Sequence, residues 1–284
     1  MRQGVFMFCI ITGEKGKEYR SGAVFRKGFS VDVQTIKTSR GGRIDVPVVH
    51  LKSGRIKTKK LHEVLRGSAE NAVMEQGLCL PDEWGIRPVD TQRISYLYLK
   101  SAVEFWLSSS NIPLRDRTAT LIDLRGVYLD LANIMAKHCA LLKVVTLRKQ
   151  EYTLLAEEIT SDYGGVLQIT DVLSRPNDGM MLVSPKGFGV DLGGQLIVPV
   201  VTLEPDQFRN ARVLHGFSQN GFECFKGIFP DSIDSLQFAA ALERFVFPAE
   251  SHCFLPYQCR LDNQPVTLQN ILETEFSLDS RPSF

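Results

Sequence analysis

The sequence predicts an α/β protein with a mostly parallel sheet, a β-rich N-terminal module and C-terminal helices. Two observations carry this expectation. From residue 118 onward, strand-length apolar runs (TATLIDL, LKVVTL, VLQIT and GMMLVS) are separated by amphipathic helical stretches. Strands spaced by helices of that length need crossover connections, which build a parallel sheet covered on its faces. Before residue 57 the pattern is of strands alone: VFMFCII is a continuous apolar run, and GFSVDVQTI and RIDVPVV alternate.

Taken in order, residues 1–57 read as a small antiparallel sheet or partly closed barrel, punctuated at Gly41-Gly42 and Ser53-Gly54, pairs that suit tight hairpins. Residues 58–117 read as a helical connector. Asp90 and Thr91 can cap a helix whose Ile94, Leu97, Tyr98, Ala102, Phe105 and Trp106 recur at the spacing of one buried face. Residues 118–284 read as a third segment, opening on strand, helix and strand. The second helix of this segment places Tyr152, Leu155, Ala156, Ile159 and Tyr163 on one side and stops at Gly164-Gly165. Further on, FGVDLGGQLIVPV reads as a hairpin about Gly193-Gly194, ARVLHGF as a strand and DSIDSLQFAAALERF as a helix with a good N-cap. A final helix is expected near Pro265 to Phe276 with Asn263 as its cap.

Composition narrows the class. Hydrophobic content of 44% with 23% charged residues fits a globular chain and argues against wholesale disorder. The early run GVFMFCII is too short to span a bilayer and lacks a small-residue cleavage pattern, so the expected location is cytoplasmic, with no membrane partner. Six scattered cysteines give no disulfide framework in a chain this long. The net charge of +1 hides an asymmetry: residues 1–60 hold 14 Lys or Arg against 4 Asp or Glu, and the remainder holds 19 against 28.

The turn after the first strand of the third segment is Asp123-Leu124-Arg125-Gly126-Val127-Tyr128. Over roughly residues 118–185 the strand, turn and helix resemble a nucleotide-binding Rossmann domain. That fold places G-x-G-x-x-G here for a tight turn, a close approach to the pyrophosphate and helix packing. Only Gly126 of the three glycines is present. Asp123-Leu124 is also similar to the opening of the first motif of class I methyltransferases, but Arg125, Val127 and Leu129 stand where glycines would admit S-adenosylmethionine. At the end of the second strand, Thr146-Leu147-Arg148-Lys149 replaces the carboxylate that would grip ribose hydroxyls. The resemblance there implies NADP rather than NAD or S-adenosylmethionine as the nucleotide ligand.

Asp123, Arg125, Gly126, Arg148, Lys149 and Ser184 are therefore the candidate cofactor-binding residues, Ser184 because Ser184-Pro185-Lys186-Gly187 follows the fourth strand and can line the same crevice. A plain structural reading stands beside this one. Gly126 permits a strand-to-helix turn, Arg125 pairs with Asp123, and Arg148 with Lys149 opens a solvated helix.

His215, in RVLHGFSQNG at the expected end of a strand, is a candidate proton donor or acceptor. His252-Cys253 with Cys259 lacks the paired close spacings of zinc sites, so no metal is expected. KSGRIKTKK, Lys52 to Lys60, can track phosphates, with Phe25 and Phe29 available to stack bases, or can dock on an acidic surface of the same chain or of a symmetry mate. No G-x-S-x-G, H-E-x-x-H or phosphate-binding G-x-x-x-x-G-K-[ST] motif occurs. The sequence thus favours a binding or regulatory role with a degenerate nucleotide site. An NADP-linked oxidoreductase is the alternative, and a nucleic-acid-binding protein using the basic N-terminal module ranks third.

Overall fold

A computed structural model describes residues 7–14, 17–21, 28–37, 42–52, 54–173, 177–187, 196–208, 211–219, 228–229, 232–247 and 255–277. The fold is α/β with a mostly parallel main sheet. Its described helices are α1 (Thr58–Leu65), α2 (Gln92–Ser109), α3 (Leu129–Lys137), α4 (Lys149–Tyr163), α5 (Ser235–Ala241) and α6 (Leu268–Glu275). The chain divides into two compact units. One comprises Met1–Ile94 and Gly221–Phe254, the other Ser95–Asn220 and Leu255–Phe284. These boundaries differ from the three segments expected at 1–57, 58–117 and 118–284. Residues 58–94 belong with the first unit, and residues 221–254 return to it.

The first unit contains β1 (Cys9–Thr12), β2 (Arg20–Ser21), β3 (Phe29–Lys37), β4 (Arg43–Leu51), β5 (Arg55–Ile56) and β6 (Ala72–Met74). Strands β3 and β4 form the antiparallel pair that their alternation calls for, from Phe29 opposite Leu51 to Lys37 opposite Arg43. The sheet is nevertheless mixed, in the order β3-β4-β1-β6, with β1 parallel to both neighbours. This corrects the antiparallel sheet or barrel. Every residue of β1 is buried, so its continuous apolar run marks an interior strand rather than one side of a hairpin. No hairpin forms across Gly54, because β5 pairs in parallel with β2. Gly41 and Ser53 lie outside the described residues. The core gathers Ile11, Val49, Leu51, Leu61, Leu65 and Trp84.

In the same unit Asp234 caps α5, its carboxylate accepting from the Gln237 amide at 2.8 Å. The helix then widens into a π-helical turn, Leu242–Val246.

The second unit contains β7 (Thr118–Ile122), β8 (Leu141–Val145), β9 (Val166–Thr170), β10 (Met181–Ser184), β11 (Leu196–Thr202), β12 (Ala211–Ser218), β13 (Gln258–Leu261) and β14 (Gln264–Thr267). The order is β14-β13-β12-β11-β10-β7-β8-β9. Read from the far edge, β9-β8-β7-β10-β11-β12 is a parallel array in the strand order 3-2-1-4-5-6 of doubly wound nucleotide-binding folds, with its topological switch between β7 and β10. Helices α3 and α4 make the first two crossovers. Gly164, in the left-handed region at φ 65°, ends α4 as its position in the sequence requires. Between β9 and β12 the described connections contain no α-helix, so the expectation of helices over both faces is met only in part. The expected hairpin about Gly193-Gly194 lies outside the described residues, and LIVPVVT forms the parallel strand β11.

Helix α2 is tied to the sheet by Arg117. Its guanidinium donates to the carbonyls of Leu107, Ser110 and Ile112 at 2.6–2.8 Å, closing the helix C-terminus onto the start of β7. Asn263 is not a helix cap. Asp262 and Asn263, at φ 49° and 68°, form the two-residue turn of the antiparallel β13–β14 hairpin, and Thr267 caps α6.

Candidate functional site

The carboxyl ends of β10, β7 and β8 lie side by side, and they carry the turn Asp123–Tyr128, the Thr146–Lys149 segment and Ser184. Six candidate residues are thus gathered at one edge of the sheet. What each of them does there follows from its partners.

Asp123 is 2% exposed. Its backbone amide continues the sheet by donating to the Val145 carbonyl at 2.9 Å. Its carboxylate turns inward, where Oδ2 accepts from the Tyr128 amide at 2.7 Å and from the Tyr152 hydroxyl at 2.6 Å. Tyr128 is the N-cap residue of α3, so this carboxylate satisfies a donor at the mouth of the helix. A second carboxylate, that of Asp130 in the first turn, takes the Leu131 amide, the Tyr96 hydroxyl at 2.5 Å and the Lys100 ammonium at 2.9 Å.

The helix N-terminus that receives a pyrophosphate in dinucleotide folds is therefore occupied by two anions of the chain itself. A like charge brought to ~4 Å of Asp123 meets a repulsion of about 4 kcal/mol at an effective dielectric of 20, whereas the charge of Asp130 is offset by Lys100.

The phenols belong to the same arrangement. Burial first, and then the hydrogen bond to Asp123, pushes the Tyr152 hydroxyl far above its ordinary value. Tyr96 is raised by burial and by its bond to Asp130. Both remain protonated donors. For Asp130, burial favours the acid form, but the bonds from Tyr96 and Lys100 outweigh it and hold the carboxyl below the usual carboxylate range. The Tyr96 and Tyr128 rings lie 5.3 Å apart.

Gly126 adopts φ 70°. A Cβ there would lie 2.9 Å from the Cβ of Arg148 and 3.1 Å from the Cγ of Glu151. The turn thus closes against the N-terminus of α4, and glycine is required both by conformation and by space. Arg148 and Lys149 are exposed at the end of β8. Lys149 is paired with Asp171 at 3.0 Å, whereas neither Arg125 nor Arg148 forms an ion pair among the described residues. The pairing of Arg125 with Asp123, expected under the plain reading, is replaced by the tyrosine bond.

Ser184 is fully buried, and its hydroxyl donates to the Lys186 carbonyl at 2.6 Å, closing its own turn. Next to it, Glu204 accepts from the Gly187 amide and from the Gln207 side chain, both at 3.0 Å, and ties the loops after β10 and β11 together.

His215 is not at the end of its strand. It lies within β12 opposite Arg260, before an irregularity at Gly216, and bonds to Asn263. Burial, and then the charge of Arg260, lowers it below its ordinary 6.5, so it is a neutral residue at physiological pH and is set apart from the β7–β8–β10 edge. No cluster of three or more metal-ligating side chains occurs among the described residues. His252 and Cys253 lie outside them, and Cys259 is buried in β13 with its thiol pushed up to about 12 by desolvation. Phe29 is 7% exposed in the first unit's core and offers no stacking surface, while Phe25 lies outside the described residues. No described helix is long and apolar enough to cross a membrane.

Tyr96, Tyr128, Asp130 and Tyr152 are not among the site residues expected from the sequence. Tyr152 was legible only as one member of the buried stripe of α4. The signal it carried was its hydroxyl, since a phenol at a buried position needs an acceptor.

No protein-family model matches the sequence, and no curated protein is recognisably similar to it. Several solved structures resemble it at low identity. A shikimate dehydrogenase in complex with NADP+ is 13% identical at a TM-score of 0.31, over 60% of this chain and 64% of that one. A quinate dehydrogenase from Corynebacterium glutamicum in complex with NAD is 12% identical at 0.33, over 94% and 98%. The ligand-free 5-ketofructose reductase of Gluconobacter sp. strain CHM43 is 11% identical at 0.32, over 85% and 99%. The chain thus spans just under two thirds of the shikimate dehydrogenase.

Proposed function

We propose that this protein has a binding or regulatory role and that its Rossmann-type unit retains a degenerate nucleotide site, in which the chain supplies the anion that a cofactor would otherwise bring. The observation that carries this reading is the buried Asp123 carboxylate, held at the mouth of α3 by the Tyr128 amide and the Tyr152 hydroxyl. A pyrophosphate approaching along the usual line meets donors already engaged by the chain's own carboxylate, and a charge of its own sign.

A second reading rests on a separate observation. Arg125 and Arg148 are exposed near this edge and form no ion pair among the described residues, which suits an NADP-linked oxidoreductase gripping a 2′-phosphate. Thermal unfolding of the full chain with NADP, NAD and S-adenosylmethionine separates the two. A ligand at 100 times its Kd stabilises a protein by about 2.7 kcal/mol, which is readily seen as a rise in Tm. The first reading expects no shift with any of the three. A rise with NADP alone that is lost in Arg148→Asp replaces it with the second.

A further inference from the structure

The face of the second unit's sheet opposite Ala119, Leu121, Leu142, Val144 and Leu167 is apolar where Ile122, Val145, Leu182 and Val200 cluster, but across the middle of β7, β8 and β9 it is not built like the inside of a parallel sheet. Parallel strands buried on both faces read as continuous hydrophobic runs. Here three strands in register set polar groups side by side: Thr120 pairs with Lys143, and Lys143 pairs with Gln168. Neighbouring strands are ~4.8 Å apart, so the three side chains form one short row.

A cavity of about 340 Å³ lies over this row. Thr170 and Asp178 complete its polar lining, and Val145 is part of its apolar floor.

Thr120 is the most informative member. It is 2% exposed and lines the cavity, yet its hydroxyl has no hydrogen-bond partner among the described residues. That hydroxyl is not closed off: among the described residues the buried side-chain polar atom left without a partner is the Trp84 indole nitrogen, so the Thr120 oxygen opens into the cavity and is available to a molecule there. The exposed Gln168 presents an amide that bonds to no described group. Lys143 and Asp178 face each other at 3.3 Å, so the charges of the site cancel.

We propose that this cavity binds a small, uncharged polyhydroxylated molecule. An anion would gain Lys143 but meet Asp178, and a cation would meet the reverse. Adjacent hydroxyl groups use both, one donating to the Asp178 carboxylate and its neighbour accepting from the Lys143 ammonium, while Thr120 and Gln168 serve as donor or acceptor to a third. The volume is that of a small-ligand site. The site is on a face of the sheet and reaches the ends of β8 and β9 at Val145 and Thr170, beside the Asp123 edge, but it does not depend on the reading of that edge.

Titration of the full chain with myo-inositol and D-glucose, followed calorimetrically and by amide chemical shifts of residues 120, 143 and 168, tests this. Saturable binding of at least one polyol is expected, weakened at least tenfold by Thr120→Val and by Lys143→Met. Thr120→Val keeps the side-chain shape, and its unfolding midpoint should stay at or above that of the parent chain, which separates lost recognition from lost fold. Sodium acetate and methylammonium chloride serve as charged probes. Absence of saturable polyol binding, polyol binding unaffected by both substitutions, or tighter binding of either ion would overturn the proposal.

Discussion

Tyr152 and Asp123 form the buried pair on which the account of the site rests, and a single-atom change tests it. Tyr152→Phe removes one donor to a buried carboxylate and preserves the ring in its fully buried place, so a loss of about 2 kcal/mol in urea unfolding is expected, as for hydrogen bonds to charged groups. If stability were unchanged, the carboxylate would not depend on that bond.

His215 gives a prediction with a sign. Its folded pKa lies below the ordinary 6.5, so as pH falls from there through the folded value the unfolded chain takes up the proton first and stability declines. His215→Gln should flatten the stability profile across that window, leaving the slope due to His138, which burial also lowers. An unaltered profile in the variant would show that His215 titrates alike in both states.

Among the elements, those legible in the sequence were the ones with enough residues to show a period. The four runs after residue 118 became β7, β8, β9 and β10, the apolar stripe of α4 was placed correctly with its glycine stop except for the exposed Tyr163, and the N-cap expected for the helix in DSIDSLQFAAALERF is supplied by Asp234. Strand β6 was missed because three residues carry no period, and the parallel pairing of β1 is set by β4 and β6, which local pattern cannot reveal. Asn263 was read as a helix cap because asparagine serves both caps and left-handed turns. The neighbouring Asp262, also at positive φ, decides for the turn.

That turn yields a paired comparison. Asn263→Gly and Asn263→Val both lose the bond to His215, but only valine must carry a branched side chain at φ 68°, so the valine variant should be less stable than the glycine variant by about 1–2 kcal/mol in chemical denaturation. Equal stabilities would contradict the type of turn described. The site was legible to the same degree as the elements: the sequence located the edge formed by β7, β8 and β10, but not that Asp123 is answered by Tyr152, a residue 29 positions away brought to it by a crossover.

At the scale of the whole molecule, the basic excess of residues 1–60 is diluted in the first unit, whose residues 61–94 and 221–254 add 5 Lys or Arg against 11 Asp or Glu, and several of its cations are locally paired. Lys17 meets Glu14 and Lys60 meets Glu63, both within one turn, and Arg20 meets Glu18. With Phe29 in the core, duplex DNA should bind only weakly at physiological salt. Tight binding that falls steeply as salt is raised would instead establish phosphate tracking, because the slope counts the contacts made.

The central claim, that the chain's own carboxylate stands where a dinucleotide's phosphates would, is tested most directly by native mass spectrometry of the freshly purified full chain, alone and with excess NADP. The account predicts the mass of the bare chain, or an integral multiple of it, in both spectra. A stoichiometric dinucleotide adduct, retained from the cell or acquired from solution and lost in Arg148→Asp, would contradict it.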